Sequence, residues 1–299
     1  MHELLNIAPE VANAINSNRP VVALESTVIT HGLPRPLNLQ TANRVQTVVH
    51  EGGATPATIA IVEGKLIVGL NDDQLKQLAA GENIEKVSMR DLPVVVARRS
   101  DGATTVASTI WIAHRAGIQV FATGGIGGVH RGSLPDISAD LPELARTPII
   151  VVCSGAKIVL DLPATREWLE THAVTVVGYQ CDELPAFYSR GSGLLVDARA
   201  DTPAEVVDIF RAQQSLGIQS ALLVGVPVPD KFEVPAEELQ AVLTTALEDA
   251  EWEGVTGWAL TPYLLQLMAE RSGGATLRAN VALLENNARV AAEIARELV

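Results

Sequence analysis

The sequence predicts a layered α/β/α fold with a mainly parallel central sheet, a small hairpin and a helical C-terminal region. Three observations carry this expectation. Apolar residues come in short unbroken runs instead of alternating, as strands buried on both faces of a sheet do. Segments of helical periodicity separate those runs, the arrangement that yields a parallel sheet covered by helices. The last quarter of the chain carries helical patterns only.

Taken in order, Val21-Val22-Ala23-Leu24 is the first clear strand. Residues 57–70 hold two β-rich runs on either side of Glu63-Gly64, which reads as a hairpin turn. Pro93-Val94-Val95-Val96-Ala97 reads as another buried strand. Residues 104–116 have apolar residues at helical spacing and stop at Gly117. Val120-Phe121-Ala122, Ile149-Ile150-Val151-Val152, Val174-Thr175-Val176-Val177 and Ala221-Leu222-Leu223-Val224 are further strands. Between the last two, residues 202–216 form a helix that opens on Thr202-Pro203 and closes at Gly217. Residues 235–254, 261–273 and 276–299 read as amphipathic helices. No repeat, low-complexity tract or long linker interrupts the pattern, so a single domain over residues 1–299 is expected.

Charge and composition exclude several classes of function. With 22 Lys+Arg against 35 Asp+Glu the net charge is −13. A polymeric nucleic acid is a poor partner for such a chain, since its recognition needs a basic footprint. Hydrophobic residues make up 47% of the chain, too many for a disordered protein. No apolar run reaches the roughly 18 residues of a membrane span, and residues 1–18 lack the basic start and apolar stretch of a signal peptide. The two cysteines, Cys153 and Cys181, lie far apart without metal-ligand spacing. A reducing, cytoplasmic compartment is therefore expected, with no membrane partner.

Polar residues that interrupt apolar runs are the informative ones. Glu25 directly follows the first strand, where α/β folds place their ligands. Desolvated there, its carboxyl would act as a general acid; otherwise it caps a turn or pairs with an arginine. Lys86 reads either as a solvated loop lysine or as a clamp for an anion. Gly124-Gly125-Ile126-Gly127-Gly128-Val129-His130-Arg131-Gly132 follows a strand but matches neither the dinucleotide fingerprint nor the P-loop. It is either a ligand loop of another kind, offering backbone N–H groups to a phosphate, or a tight structural turn. Asp136-Ile137-Ser138-Ala139-Asp140 follows at once and reads either as oxygen ligands for a hard cation or as a helix start. Lys157 comes after a strand and Ser154-Gly155-Ala156, at the expected start of a helix. A surface lysine is one reading; an amine nucleophile with a lowered pKa in a dry site is the other. Phe187-Tyr188-Ser189-Arg190 reads equally as a substrate-facing or a packing segment.

The whole chain from Val21 onward resembles the pseudouridine-5′-phosphate glycosidase family (indigoidine synthase A-like). The likeness is carried by Val22-Ala23-Leu24-Glu25-Ser26-Thr27 with His31-Gly32, by Pro56-Ala57-Thr58-Ile59-Ala60 and Asp91-Leu92-Pro93, and by residues 101–109. Residues 120–132 and 136–141 are its most specific part, and Gly155-Ala156-Lys157, Gly178-Tyr179-Gln180, Leu184-Pro185-Ala186-Phe187 and Asn280 continue it. Ser133-Leu134-Pro135 is shorter than the family pattern at that place, and Cys181 matches no assigned position.

The resemblance implies reversible cleavage of the carbon–carbon glycosidic bond of pseudouridine 5′-phosphate to uracil and ribose 5-phosphate. A lysine adduct with the ring-opened sugar is implied as the intermediate. It implies Glu25 as proton donor and Lys157 as nucleophile. Lys86, Val106, Ser138, Ala139 and Asp140 are implied as substrate-binding positions, with His130 and Asn280 near the base or sugar. Asp136 is implied as ligand of one divalent ion per subunit, manganese or else magnesium or another divalent metal, and the assembly as a homotrimer. Two alternatives stay open on the same residues: a non-catalytic sugar-phosphate-binding or regulatory homologue, and a glycosidase for a related nucleotide.

Overall fold

The computed structural model describes residues 4–131, 136–255 and 260–299; Ser133-Leu134-Pro135 lie outside them. Among the described residues, eleven strands share one sheet. Its main path runs β1 (Leu5–Ile7), β4 (Lys65–Val68), β3 (Thr55–Val62), β2 (Val21–Leu24), β7 (Val120–Ala122), β8 (Ile150–Cys153), β11 (Leu222–Gly225), β9 (Thr175–Tyr179) and β10 (Ala198–Ala200). Two short strands, β5 (Glu85–Val87) and β6 (Gly102–Thr104), extend from β3 off that path. Pairing is parallel except where β3 meets β4 and β6. The mainly parallel sheet and the hairpin expected at residues 57–70 are both present. Glu63 and Gly64, at φ 49° and 74°, make the tight turn, as a two-residue connection with left-handed central residues requires.

The strand order fixes where a ligand can sit. β2 continues through α2 (Leu37–Glu51) to β3 on one side of it, whereas β7 continues through α6 (Asp140–Leu144) to β8 on the other side. Right-handed crossovers therefore put these connections on opposite faces of the sheet. A crevice must open at the carboxyl ends of β2 and β7, where the chain switches direction. The long last helix α11 (Ala275–Leu298) packs on β2, β7 and β8 and is flanked by α2 and α8 (Pro203–Ser215). Its buried face, with Leu283, Leu284, Val290 and Ala291, closes the core beneath that crevice.

Three local expectations are corrected. Pro93-Val94-Val95-Val96-Ala97 is helical, inside α4 (Leu92–Arg98), not a strand. Asp91 precedes the helix, Pro93 sits in its first turn where a missing N–H costs nothing, and Arg99 ends it in the left-handed region. Leu92 and Val95, one turn apart, are buried while Val94 is 43% exposed; a run of valines hid this helical spacing. Residues 102–104 are strand, so the following helix α5 (Val106–Arg115) begins later than the periodicity suggested. The buried Thr104 hydroxyl donates to Ile59 O at 2.7 Å, which holds it in the sheet. Lys157 does not start a helix. It lies in the loop after β8, and α7 (Leu162–Thr171) begins only at Leu162, capped by Asp161, whose side chain accepts from Ala164 N.

Candidate active site

At the crevice lies a cleft of about 770 Å³. The ten residues that the resemblance implies as catalytic, substrate-binding or metal-binding all line it. Glu25 reaches it from the end of β2, Lys86 from β5, Val106 from the first turn of α5, Lys157 from the loop after β8 and Asn280 from α11. His130, Asp136, Ser138, Ala139 and Asp140 come from the glycine loop and its return. Phe187 also lines the cleft, whereas Tyr188 beside it is 1% exposed. Phe187 is itself only 2% exposed, so both rings fill the core and Phe187 borders the cleft from within it.

Glu25 is 9% exposed. Its Oε1 accepts a hydrogen bond from the Thr123 hydroxyl at the end of β7. Burial pushes its pKa above the ordinary 4.5; Lys157, the Thr123 hydrogen bond and Lys86 pull it back, and the Asp140 charge adds to the rise. Next to Glu25, the wholly buried Ser26 hydroxyl donates to Ile59 O at 2.6 Å and accepts from Thr104 N at 2.9 Å. The carboxyl thus stands on a stiff junction of β2, β3 and β6.

Lys86 is half-buried on β5, not a solvated loop lysine. Burial lowers its pKa, the Lys157 charge lowers it further, and Asp140 and Glu25 oppose both. Glu25, Lys86, Asp140 and Lys157 are thus within electrostatic reach of one another across the cleft.

Asp140 is 6% exposed and both its oxygens accept backbone N–H groups. Oδ1 takes that of Ala107 in α5 at 2.9 Å, and Oδ2 that of Gly127 at 2.8 Å. It ties the glycine loop to the start of α5 and fixes Val106 between them. The loop's own donors are largely spent on protein. The N–H of Ile126 goes to Gly155 O at 3.0 Å, that of Val129 to Thr165 Oγ1 at 2.9 Å and that of His130 to Asp136 O at 2.8 Å. The expectation that this loop offers its N–H groups to a phosphate is therefore corrected at these positions. Its glycines are needed for close packing instead: a Cβ at Gly127 would lie 2.2 Å from Ser138 Oγ. Gly155, at φ +80°, has no room for one either, with Pro185 O only 1.9 Å away.

Asp136 is exposed at the cleft. Among the described residues no group of three or more His, Cys, Asp or Glu side chains is placed to hold a metal. With both Asp140 oxygens engaged by amides, Asp136 is an exposed carboxylate at the cleft open to a ligand. One such oxygen donor fits a hard divalent ion that keeps most of its shell as water and substrate oxygens, and does not fit a tightly held transition metal.

Sequence reasoning missed the side chains that hold the site. Thr123 is one. Asn287 of α11 is another: wholly buried, it donates to Thr123 O at 2.8 Å and to Ser154 Oγ at 3.1 Å, joining the ends of β7 and β8. Its signal was available, since it is a polar residue on the apolar face of an amphipathic helix. His31 lines the cleft as well; burial and the Lys86 charge lower its pKa. Replacing Asn287 with Ala leaves Thr123 O and Ser154 Oγ short of a partner in a dry interior. The expected result is a loss of about 1–3 kcal/mol in unfolding free energy, read from urea denaturation.

Residues 10–297 match the family described as "Indigoidine synthase A like protein". The pseudouridine-5′-phosphate glycosidase of Geobacillus kaustophilus is 50% identical over 300 residues, covering 100% of both chains. That of Symbiobacterium thermophilum is 52% identical over 301 residues, covering 99% of this chain and 98% of its own. Among solved structures, the prealnumycin C-glycosynthase AlnA in complex with ribulose 5-phosphate superposes with a TM-score of 0.91 at 41% identity. That match covers 99% of this chain and 97% of the other.

Proposed function

The chain belongs to the indigoidine synthase A-like family, and we propose on that premise that it cleaves pseudouridine 5′-phosphate reversibly into uracil and ribose 5-phosphate. The observation that carries this reading is the cleft itself. A buried carboxyl with a raised pKa and a lysine face each other there, in a chain about 50% identical to glycosidases of that substrate.

The scissile bond joins two carbons, so a pair of carboxylates acting on an oxygen leaving group would not suffice. Glu25, protonated, gives its proton to the ribose ring oxygen as the bond from that oxygen to the anomeric carbon breaks. The Lys157 amine forms its bond to that carbon. The adduct nitrogen gives up a proton, the uracil carbon takes one, and the carbon–carbon bond breaks. The nitrogen lone pair fills in behind it to leave an iminium on Lys157. Water returns the free lysine and ribose 5-phosphate. Lys86 supplies positive charge to the phosphate or the departing base. Asp140 holds the glycine loop against α5, and Val106, Ser138 and Ala139 shape the sugar subsite. His130 and Asn280 are the polar groups left to recognise base and sugar edges.

Asp136 would hold the divalent ion, Mn²⁺ or Mg²⁺, which when bound supplies charge neutralisation beside the phosphate. A single catalytic domain, a homotrimer and a cytoplasmic location belong to the same proposal. In its support, no helix among the described residues is long and apolar enough to cross a membrane. The C-glycosynthase neighbour favours a second reading in which another carbon nucleophile replaces uracil. One assay separates them: uracil release from pseudouridine 5′-phosphate, followed by loss of activity on chelation and its return with Mn²⁺. Absence of uracil release at any metal concentration overturns the first reading.

A further inference from the structure

A second, smaller cavity of about 30 Å³ lies behind the active site. Glu25 borders both it and the main cleft, as does Val28. The cavity walls are mostly aliphatic side chains of β2, residues 28–33, α2, β7 and α11, with four further polar residues among them. Three of these are hydrogen-bonded within the protein. Asn38 Nδ2 donates to Ile29 O at 2.8 Å and Ala79 O at 3.0 Å. Thr58 Oγ1 accepts from Gln46 Nε2 at 3.1 Å and keeps an O–H to donate. The Thr123 hydroxyl is committed to Glu25 Oε1. The fourth, Thr41, is 4% exposed, and its buried Oγ1 has no hydrogen-bond partner among the described residues.

An orphaned hydroxyl inside an α/β core is uncommon and asks for a reason. We propose that this cavity is an internal water site and that Thr41 is a positioning residue, holding one water against the rear of the Glu25 carboxyl. The space exceeds what one water needs, and such waters take about three hydrogen bonds from buried polar groups. Thr41 offers a donor and an acceptor, Thr58 a donor, and the carboxyl an acceptor, or a donor once protonated. The lone hydroxyl is then satisfied.

The consequence for the acid is physical. A water that donates to a carboxylate favours its charged form. The charges facing Glu25, namely Lys157, Lys86 and Asp140, all belong to other elements than α2, so a substitution at position 41 changes the solvation of the carboxyl and leaves those charges in place. The water tempers the burial that holds Glu25 protonated, and sets how high in pH the acid keeps its proton.

The catalytic half of this inference rests on Glu25 being the acid proposed above; the water site itself does not. The test compares wild type, Thr41→Val, which keeps the shape and removes the hydroxyl, and Thr41→Ser, which keeps the hydroxyl. High-resolution crystal structures should show an ordered water between residue 41 and Glu25 in wild type and Thr41→Ser, and none in Thr41→Val. The alkaline limb of the kcat–pH profile should move up by roughly half a pH unit or more in Thr41→Val, the worth of about one hydrogen bond. It should stay at the wild-type position in Thr41→Ser, with KM unchanged in both. A wild-type crystal with no water in the cavity overturns the proposal. So does an unmoved limb in Thr41→Val, or one that moves equally in Thr41→Ser. If Glu25→Gln keeps full turnover, the acid assignment is wrong, and the water density still decides the site.

Discussion

A Lys157→Ala variant is expected to lose uracil release by about 10⁴-fold or more, the scale on which removal of other covalent nucleophiles acts. Its thermal midpoint should stay close to wild type. The main chain of Lys157 is what the loop uses, with its N–H donating to Ile126 O at 3.1 Å and its carbonyl accepting from Leu160 N at 3.0 Å. Alanine keeps both bonds. Incubating the wild type with ribose 5-phosphate and borohydride should trap the iminium and add the reduced sugar phosphate to Lys157. Lys86 is the competing amine in the same cleft, and its pKa is lowered by burial and by the Lys157 charge. A label found on Lys86, or turnover retained by Lys157→Ala, would exchange the two assignments.

Glu25→Gln should lower kcat by about 10²–10⁴-fold, the usual worth of a positioned acid, and at the same time stabilise the fold at neutral pH. The second half follows from linkage. The folded-state pKa of Glu25 lies above its ordinary 4.5. The folded chain therefore binds this proton more tightly than the unfolded chain does. As far as this group is concerned, stability is greatest below about 4.5 and is lost as the pH rises from there to the folded value. Above that, a buried carboxylate charge is carried at a constant cost. Glutamine carries no charge, so the variant should melt higher than wild type at pH 7 and about level with it at pH 4. The wild-type kcat should in turn fall as the pH rises through the folded pKa. Equal melting points at pH 7 would mean that Lys157, Lys86 and Thr123 offset the burial completely.

Much of this could be read from the sequence because parallel strands buried on both faces leave unbroken apolar runs. Val21–Leu24, Val120–Ala122 and, one residue early, the strand at Leu222–Gly225 were visible on that ground alone. The same rule failed at residues 93–97, where valines on a short helix imitate a strand. It failed again at Thr104, whose strand state is fixed by hydrogen bonds to residues far off in sequence. The cleft residues were found because each breaks an apolar run or repeats a family motif. The residues that hold them were not. Thr123 and Asn287 act through partners brought close only by the sheet order, and their polarity is unremarkable until the core around them is seen. The glycine loop shows the converse. Its composition suited either a ligand loop or a tight turn, and the N–H groups of Ile126, Gly127, Val129 and His130 are answered within the protein by Gly155, Asp140, Thr165 and Asp136.

The grip of Asn287 on the ends of β7 and β8 has a consequence for biosynthesis. A ribosome delivers the chain from its N-terminus at roughly 5–20 residues per second. The strand bearing the acid is made early, and the helix that draws Thr123 and Ser154 together is made after all eleven strands. Until α11 (Ala275–Leu298) has emerged, the nascent chain carries a carboxyl and an amine on strand ends that nothing holds in register, over a core whose lid of Leu283 and Leu284 is missing. Competence therefore waits for α11: a chain made only as far as α10 (Leu260–Arg271) does not yet hold the two strand ends together for a sugar phosphate.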